Sequence, residues 1–392
     1  MPKSDVFSCK SAEGDAILAA SRHFPRYRML LMNYYFHIPF CRSKCGYCAF
    51  YSEPSPEPGM FDAYLDKLER ELDAAPLPPP DTVYLGGGTP TLFDPARLER
   101  LFRLIRQKLA PKAGTEISIE ANPETLDRGK IRLIRDFANR ISLGVQSFSA
   151  EHRRTLGRDC TQRALQYAID LIREAKFPEW NIDLIYAIPG ATRRDFFNDL
   201  ATAARAGATH ISCYSLTPEE GARLCDRLQP DEEEAATLWE AIPQQLAPWE
   251  FRRYEISNYA LPGHECRHNV NVWRGGLLCG FGPAAASFDG ALRYAQAASL
   301  TEWLAGAPPE LDEIPGAARL NEIFAVNLRT ASGWTPHLWS RVPGADGWEA
   351  RLRLARSAAK ETSPEFFDIS PGRITLSSSG LLFWNTIAEV LL

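Results

Sequence analysis

Long apolar runs are missing from this chain. No stretch of ~18 apolar residues occurs, so no segment is expected to cross a bilayer as a helix. A basic surplus is missing too: 44 Lys and Arg stand against 49 Asp and Glu, a formal net charge of −5, which leaves no electrostatic footprint for nucleic acid. The cysteines lack an even count. Nine of them, in a chain that does not open on an apolar signal run, argue against a disulfide framework and for thiols kept reduced in the cytoplasm. Cys9, Cys160, Cys213, Cys225, Cys266 and Cys279 stand alone, so no second cysteine knuckle is present to close a tetrahedral zinc site. The common phosphate loops are absent as well. The turn Gly86-Gly87-Gly88-Thr89-Pro90 has neither the Gly-Lys-Ser/Thr of a Walker loop nor the Gly-x-Gly-x-x-Gly dinucleotide pattern. The opening residues carry Lys3, Arg22, Arg26 and Arg28 beside Asp5, Glu13 and Asp15, unlike an acid-poor transit peptide. They are expected to form a loose extension over 1–32, or to lie upstream of a start at Met29 or Met32.

What is present is concentrated in His37-Ile38-Pro39-Phe40-Cys41-Arg42-Ser43-Lys44-Cys45-Gly46-Tyr47-Cys48. Cys41, Cys45 and Cys48 are spaced Cys-x3-Cys-x2-Cys after a β-branched and aromatic run. Soft thiolates suit iron, and three so close together can hold three irons of a 4Fe-4S cluster while the fourth iron stays open to another ligand. The competing reading is a structural zinc site with His37 as fourth ligand.

With 45% hydrophobic and 24% charged residues, the 392-residue chain reads as a globular protein with one large and one smaller domain. Short runs rich in Val, Ile and Tyr predict strands at Tyr34–Ile38, Thr82–Leu85, Glu116–Glu120, Ile141–Gln146, Asn181–Ile185 and His210–Leu216. Helical spacing between them predicts helices at Phe61–Leu72, Pro95–Leu109, Lys130–Ala138, Gln162–Ala175 and Arg194–Ala206. The alternation implies repeated βαβ units, hence a parallel sheet closed into a partial barrel with helices outside. Each predicted strand ends on polar or glycine-rich residues, and the carboxyl ends of barrel strands are where an active site gathers.

The glycine turn could let the backbone approach a ligand and offer its own N–H and C=O groups. Glu120 could accept from ribose hydroxyls, Gln146 and Asp183 could bond neighbouring polar atoms, and Arg158 could pair with a carboxylate. Taken singly, each also fits a surface or capping role.

Together, the cysteine trio with Tyr47, the Gly-Gly-Gly-Thr-Pro turn, Ile119-Glu120-Ala121-Asn122-Pro123, Gly144-Val145-Gln146-Ser147-Phe148, Leu156-Gly157-Arg158 and Asn181-Ile182-Asp183-Leu184-Ile185-Tyr186 resemble the radical SAM superfamily. Within it they resemble the oxygen-independent coproporphyrinogen III oxidase branch. The resemblance implies an α/β fold: a partial (β/α)6 radical SAM barrel with a smaller C-terminal α+β domain. It implies a 4Fe-4S cluster on Cys41, Cys45 and Cys48, whose open iron chelates S-adenosylmethionine (SAM). In the related oxidases a cluster electron cleaves the sulfonium, and the adenosyl radical takes hydrogen from a propionate. Carried over by motif, Tyr35, Tyr47, Gly87, Gly88, Thr89, Glu120, Gln146, Arg158, Asp183 and Ser215 would contact SAM. An electron donor is implied as a partner.

The true oxidases carry a fourth cysteine two places after the third, where this chain has Phe50. The run Arg253-Tyr254-Glu255-Ile256-Ser257-Asn258-Tyr259-Ala260-Leu261-Pro262-Gly263-His264-Glu265-Cys266-Arg267-His268-Asn269 instead resembles the HemW-type heme chaperones. There the segment His-Asn-x-x-Tyr-Trp is linked to heme binding, and the counterpart here is His268-Asn269-Val270-Asn271-Val272-Trp273. The resemblance thus implies heme as a further ligand on His268, and a heme-accepting protein, which could be membrane-associated, as partner. A neutral imidazole is a standard axial donor to heme iron. The bland alternative is a histidine packed near Trp273 in a loop. Two departures stand out: Val272 replaces a tyrosine and Ala286 a histidine. A radical enzyme acting on coproporphyrinogen III or a related substrate is therefore the alternative function.

Beyond Ser287 helices are expected around Glu302–Leu304, Ala317–Leu328 and Leu381–Leu392, with a strand at Arg373–Leu376. Asp231-Glu232-Glu233-Glu234 reads as a solvated helix start. The isolated cysteines from Cys160 onward read as buried small hydrophobes. The expected division is an extension over 1–32, the barrel over 33–225, a capping region with the heme-binding-like segment over 226–290, and a C-terminal domain over 291–392.

Overall fold

The computed structural model describes residues 31–74, 77–217, 219–227, 229–312 and 314–392. The expected extension, Cys9 and Met29 lie outside the described residues, apart from Leu31 and Met32 at its end. All six predicted barrel strands form: β1 (Met32–Ile38), β2 (Thr82–Gly87), β3 (Glu116–Ala121), β4 (Arg140–Gln146), β5 (Glu179–Tyr186) and β6 (His210–Ser215). They pair in sequence order and in parallel. Between them run α1 (Pro58–Asp73), α2 (Pro95–Leu109), α3 (Arg128–Phe137), α4 (Gln162–Ala175) and α5 (Arg193–Arg205).

The last four of these helices begin on side-chain caps. Asp94, Asp127, Thr161 and Thr192 accept from the backbone N–H groups of Arg97, Lys130, Ala164 and Asp195. Thr192 and Asp195 complete a capping box. Each cap contributes about 1 kcal/mol, which places the helix starts sharply.

The sheet extends past the six strands on both sides. A seventh parallel strand, Leu277–Phe281, lies against β1, and the short strands Ala286–Phe288, Arg293–Ala295 and Glu310–Asp312 continue it antiparallel. Beyond β6 come Asn258–Ala260 and Arg252–Arg253. The seventh strand is not among the predicted ones because Gly280 interrupts it and its pattern is short.

One residue parity on β1–β6 faces the helices and is apolar: Tyr34, Phe36, Ile38, Val83, Leu85, Ile117, Ile119, Ile141, Leu143, Val145, Ile182, Leu184 and Ile211 are all buried in one core. The other parity lines the inside. It reads Asn33, Tyr35 and His37; Thr82 and Tyr84; Glu116, Ser118 and Glu120; Arg140 and Ser142; Asn181 and Asp183; His210 and Ser212. A parallel barrel is normally filled with branched apolar side chains. This one has a polar lumen.

The acidic helix start behaves as expected, with Asp231 capping Glu232–Leu246. The helix over Ala317–Leu328 forms as Gly316–Asn327, and Arg373–Leu376 is a strand. The final helix breaks into Ser378–Leu382 and Trp384–Leu391. Cys213, Cys266 and Cys279 are buried, whereas Cys160 and Cys225 are half-buried because they lie on loops and turns outside the core.

Candidate functional site

The cysteine loop leaves the carboxyl end of β1. It is closed by a two-residue parallel bridge between Phe40–Cys41 and Glu53–Pro54, with Glu53 N donating to Pro39 O at 2.6 Å and Ser55 N to Cys41 O at 2.9 Å. Beneath it, Phe40 packs edge-on against Phe61 at 4.7 Å and Tyr64 at 5.6 Å. Such pairs contribute about 0.5–1.5 kcal/mol each beyond their area. The loop's middle is pinned by Gly46, whose N–H donates to Leu156 O at 3.0 Å and whose carbonyl accepts from Leu224 N at 2.8 Å. A Cβ on Gly46 would lie 2.2 Å from Leu224 Cδ1, so any larger residue there would have to push the Leu224 side chain aside.

Cys41, Cys45 and Cys48 are half-buried on this loop. Burial, and the charge of the neighbouring cysteines, push the thiols of Cys41 and Cys48 above their usual range. Cys41 Sγ lies 3.7 Å from Thr89 Oγ1, and Arg158 Nη1 donates to Cys45 Sγ at 3.4 Å. Among the described residues no three His, Cys, Asp or Glu side chains are grouped to hold a single ion. A 4Fe-4S cluster does not ask for that, since each thiolate binds a different iron. The zinc reading needs His37, but both of its ring nitrogens are engaged, Nδ1 with Tyr35 Oη at 3.1 Å and Nε2 with Tyr51 O at 3.0 Å.

Arg158 is buried against the loop. Its Nη2 donates to Gly144 O, and its Nε has no partner among the described residues. Burial opposes its charge, but Tyr47 and Cys45 beside it hold its pKa above the usual value. Gln146 stands at a bulge in β4 with φ of 69°, a conformation that side chains other than glycine adopt at a cost and that clusters at functional sites. Gly87 has φ of 104°, and a Cβ there would meet the His37 ring at 2.7 Å.

The sequence reading offers both the N–H and the C=O groups of the glycine turn to a ligand, and the N–H groups are already engaged. Gly87 N donates to Glu120 Oε2 at 3.2 Å, Gly88 N to Ile38 O at 2.8 Å and Thr89 N to Phe40 O at 2.7 Å. Its N–H groups therefore hold the turn to β1, to the cysteine loop and to β3 instead of remaining open to a ligand.

Glu120 also accepts from Tyr84 Oη at 2.9 Å. Burial and the charge of Asp183 raise its pKa to about 7. Asp183 accepts from Ser142 Oγ at 3.0 Å and Asn181 Nδ2 at 2.7 Å, and burial raises its pKa as well. Tyr47 is close enough to Arg158, Cys45, Cys48 and Asp183 for their charges to act on it. Tyr35 packs on Tyr84 at 6.2 Å. The structure thus brings the trio, Tyr35, Tyr47, Gly87, Thr89, Glu120, Arg158 and Asp183 to one mouth. Ser215 ends β6, beside Tyr186 in the register with β5.

His268 is elsewhere. It is a helical residue on α6 (Arg267–Trp273), not a loop residue, and its ring bonds Thr82, the first residue of β2, at 2.8 Å. The cysteine loop meets Thr89, just past the end of β2, whereas His268 bonds the residue that opens the strand, so His268 and the trio lie toward opposite ends of β2, whose six residues span roughly 16 Å. Tyr84 spans part of that gap, with its hydroxyl on Glu120 and its ring 5.1 Å from His268. Glu116 accepts from the N–H groups of Arg267 at 3.1 Å and His268 at 2.8 Å, and Arg140 donates to the carbonyls of His264 at 2.8 Å and Glu265 at 3.1 Å. Tyr84, Glu116, Arg140, His210 and Ser212 were not singled out from sequence. Their signal was the period-two alternation of polar and apolar residues on every strand.

A model of the radical SAM superfamily matches residues 35–203. Heme chaperone HemW of Mycobacterium tuberculosis (strain ATCC 25618 / H37Rv) is 37% identical over 375 residues, covering 91% of this chain and 94% of the relative. The chain belongs to the HemW family of radical SAM proteins. HemW of Lactococcus lactis subsp. lactis (strain IL1403) is 32% identical over 310 residues, 76% of this chain and 82% of the relative. The Escherichia coli coproporphyrinogen III oxidase HemN superposes with a TM-score of 0.81 at 21% identity, covering 95% of this chain and 93% of its own, which establishes the shared fold. Radical SAM membership brings a 4Fe-4S cluster and SAM as cofactors. The thiols, the buried cation beside them and the carboxylates at the mouth suit both. No helix among the described residues is long and apolar enough to cross a membrane.

Proposed function

We propose that this HemW-family chain is a heme chaperone that binds heme in the cytoplasm and hands it to an acceptor protein. The observation that carries the reading is the similarity to HemW along nearly the whole chain. Phe50, 72% exposed where the oxidases have a fourth cysteine, supports it. So does His268, whose pKa burial lowers to about 3, so that the imidazole is neutral and able to ligate iron. Its distance from the cysteine loop gives heme and cluster separate ligands. Val272, on α6, and the exposed Ala286 remove a phenol and an imidazole, leaving His268 to carry more of the binding.

In this reading Cys41, Cys45 and Cys48 hold the cluster, and Arg158 balances its negative charge. Tyr35, Tyr47, Gly87, Gly88, Thr89, Glu120, Gln146, Asp183 and Ser215, with Arg158, surround SAM. When bound, cluster and SAM supply one-electron chemistry, fed by an electron donor. We also infer that 33–225 is the cluster-bearing unit, 226–290 its cap and 291–392 a separate small unit, although one sheet crosses from the first to the last. The complete set of polar side chains at the mouth supports a second reading, a radical enzyme acting on a porphyrinogen. Anaerobic reconstitution followed by heme titration, with His268→Ala alongside, separates the two. A stoichiometric Soret band that depends on His268 supports the chaperone. No Soret band, with 5′-deoxyadenosine formed from SAM when a porphyrinogen is added, contradicts it.

A further inference from the structure

The proton on the His268 ring can be placed from a chain of hydrogen bonds with one self-consistent solution. The chain starts at Asn33, buried on β1, whose Nδ2 donates to Leu277 O at 2.8 Å. Turning that amide over would set its oxygen against a carbonyl oxygen, so the amide orientation is fixed. Asn33 Oδ1 therefore faces Asn271 Nδ2 at 2.9 Å and Thr82 Oγ1 at 2.8 Å, and accepts from both. The Thr82 hydroxyl has a single proton, which goes to Asn33. Its oxygen can then only accept from His268 Nδ1, 2.8 Å away. His268 thus carries its proton on Nδ1, and Nε2 presents a lone pair.

Two other buried histidines line the same lumen, and they show the contrast. His37 donates from Nε2 to Tyr51 O and accepts at Nδ1 from Tyr35. His210 donates from Nδ1 to Asn181 Oδ1 at 2.7 Å and accepts at Nε2 from Tyr254 Oη at 2.9 Å. Both have two partners. His268 Nε2 has no hydrogen-bond partner among the described residues.

We propose that Asn33 and Thr82 are positioning residues that fix the Nδ1-protonated tautomer of His268 and so hold Nε2 ready as the donor to heme iron, an inference that rests on the chaperone reading. Asn271, three residues along α6, bonds the same Asn33 oxygen, so one amide anchors both the ring and the helix that bears it. The Thr82 oxygen accepting at Nδ1 also raises the basicity of Nε2, as outer-shell partners do for ligating histidines.

The test is made on the full chain with 15N-labelled histidine, the His268 signals being assigned by their loss in His268→Gln. Without heme, Nδ1 is expected to show a pyrrole-type shift and Nε2 a pyridine-type shift. A protonated Nε2 in the unaltered chain overturns the proposal without recourse to any variant. Thr82→Val keeps the volume and removes the acceptor. It is expected to redistribute the tautomer and weaken heme binding by about ten- to a hundred-fold, with a lowered iron–histidine stretching frequency in the resonance Raman spectrum. Thr82→Ser is expected to restore all three. Unchanged nitrogen shifts and unchanged heme affinity in Thr82→Val also overturn the proposal. If the unaltered chain fails to bind heme, the chaperone reading falls and the role of Nε2 falls with it, whereas the 15N spectrum still decides the tautomer.

Discussion

Replacing Glu116 by alanine tests how the His268 helix is held to the barrel. The carboxylate is buried and accepts from the first two N–H groups of α6, those of Arg267 and His268, at 3.1 and 2.8 Å. It also faces Arg140 Nε at 3.3 Å, and Arg140 is itself buried, with Nη2 3.5 Å from Glu179 Oε2 and Nη1 without a partner among the described residues. A hydrogen bond to a charged group contributes about 1.5–3 kcal/mol, and breaking a buried ion pair costs up to about 3–5 kcal/mol, less here because Arg140 keeps Glu179 as a second partner. These terms overlap, so Glu116→Ala is expected to lose about 4 kcal/mol, a large share of the ~5–15 kcal/mol that holds a domain together. Glu116→Gln keeps the shape and one acceptor and is expected to lose about half as much. Denaturant unfolding gives the totals. Amide hydrogen exchange shows where the loss falls, and residues 264–273 should open first because Arg140 and Glu116 hold both their carbonyls and their N–H groups. A loss below about 1 kcal/mol, or exchange raised evenly over the barrel, would refute the reasoning.

Three further outcomes follow from named contacts. Cys45→Ser should leave the fold intact but abolish bound iron and acid-labile sulfide after reconstitution, because a thiolate ligand is lost. Gly46→Ala should weaken the cysteine loop by about 1–3 kcal/mol through the clash with Leu224 and shorten cluster lifetime in air, and adding Leu224→Ala should restore much of it. Glu71 is buried on α1, its Oε2 has no partner among the described residues, and burial raises its pKa from 4.5 to about 7. The folded chain thus binds this proton more tightly than the unfolded chain. Its favourable contribution is complete below pH 4.5, is lost as pH rises through 7, and amounts to about 3 kcal/mol. Glu71→Gln should flatten that part of the stability profile between pH 5 and 8, and an unchanged slope in urea titrations would contradict the assignment.

The six strands and five helices were legible because each β-branched run and each stretch of helical spacing declares itself locally, as Thr82–Leu85 and Pro95–Leu109 do. The mouth was legible for a different reason, since a parallel barrel must gather its strand ends. The polar lumen was not read, although Thr82 and Tyr84 already alternate with Val83 and Leu85. The position of His268 could not be read at all. It depends on Thr82, 186 residues away, and on Glu116, 152 residues away, and no local pattern reports such pairings. The glycine turn was read for ligand contact, whereas its N–H groups are spent on Ile38, Phe40 and Glu120, a matter of tertiary register.

Delivery of heme is measured most directly as transfer between two proteins. Chain reconstituted with its cluster and loaded with one heme is mixed with an apo heme protein, and the visible spectra of the separated proteins are followed. Heme is expected to leave this chain for the acceptor, and His268→Ala, unable to load, is expected to deliver none. Heme retained by the chain, or delivery unaffected by His268→Ala, would contradict the chaperone reading.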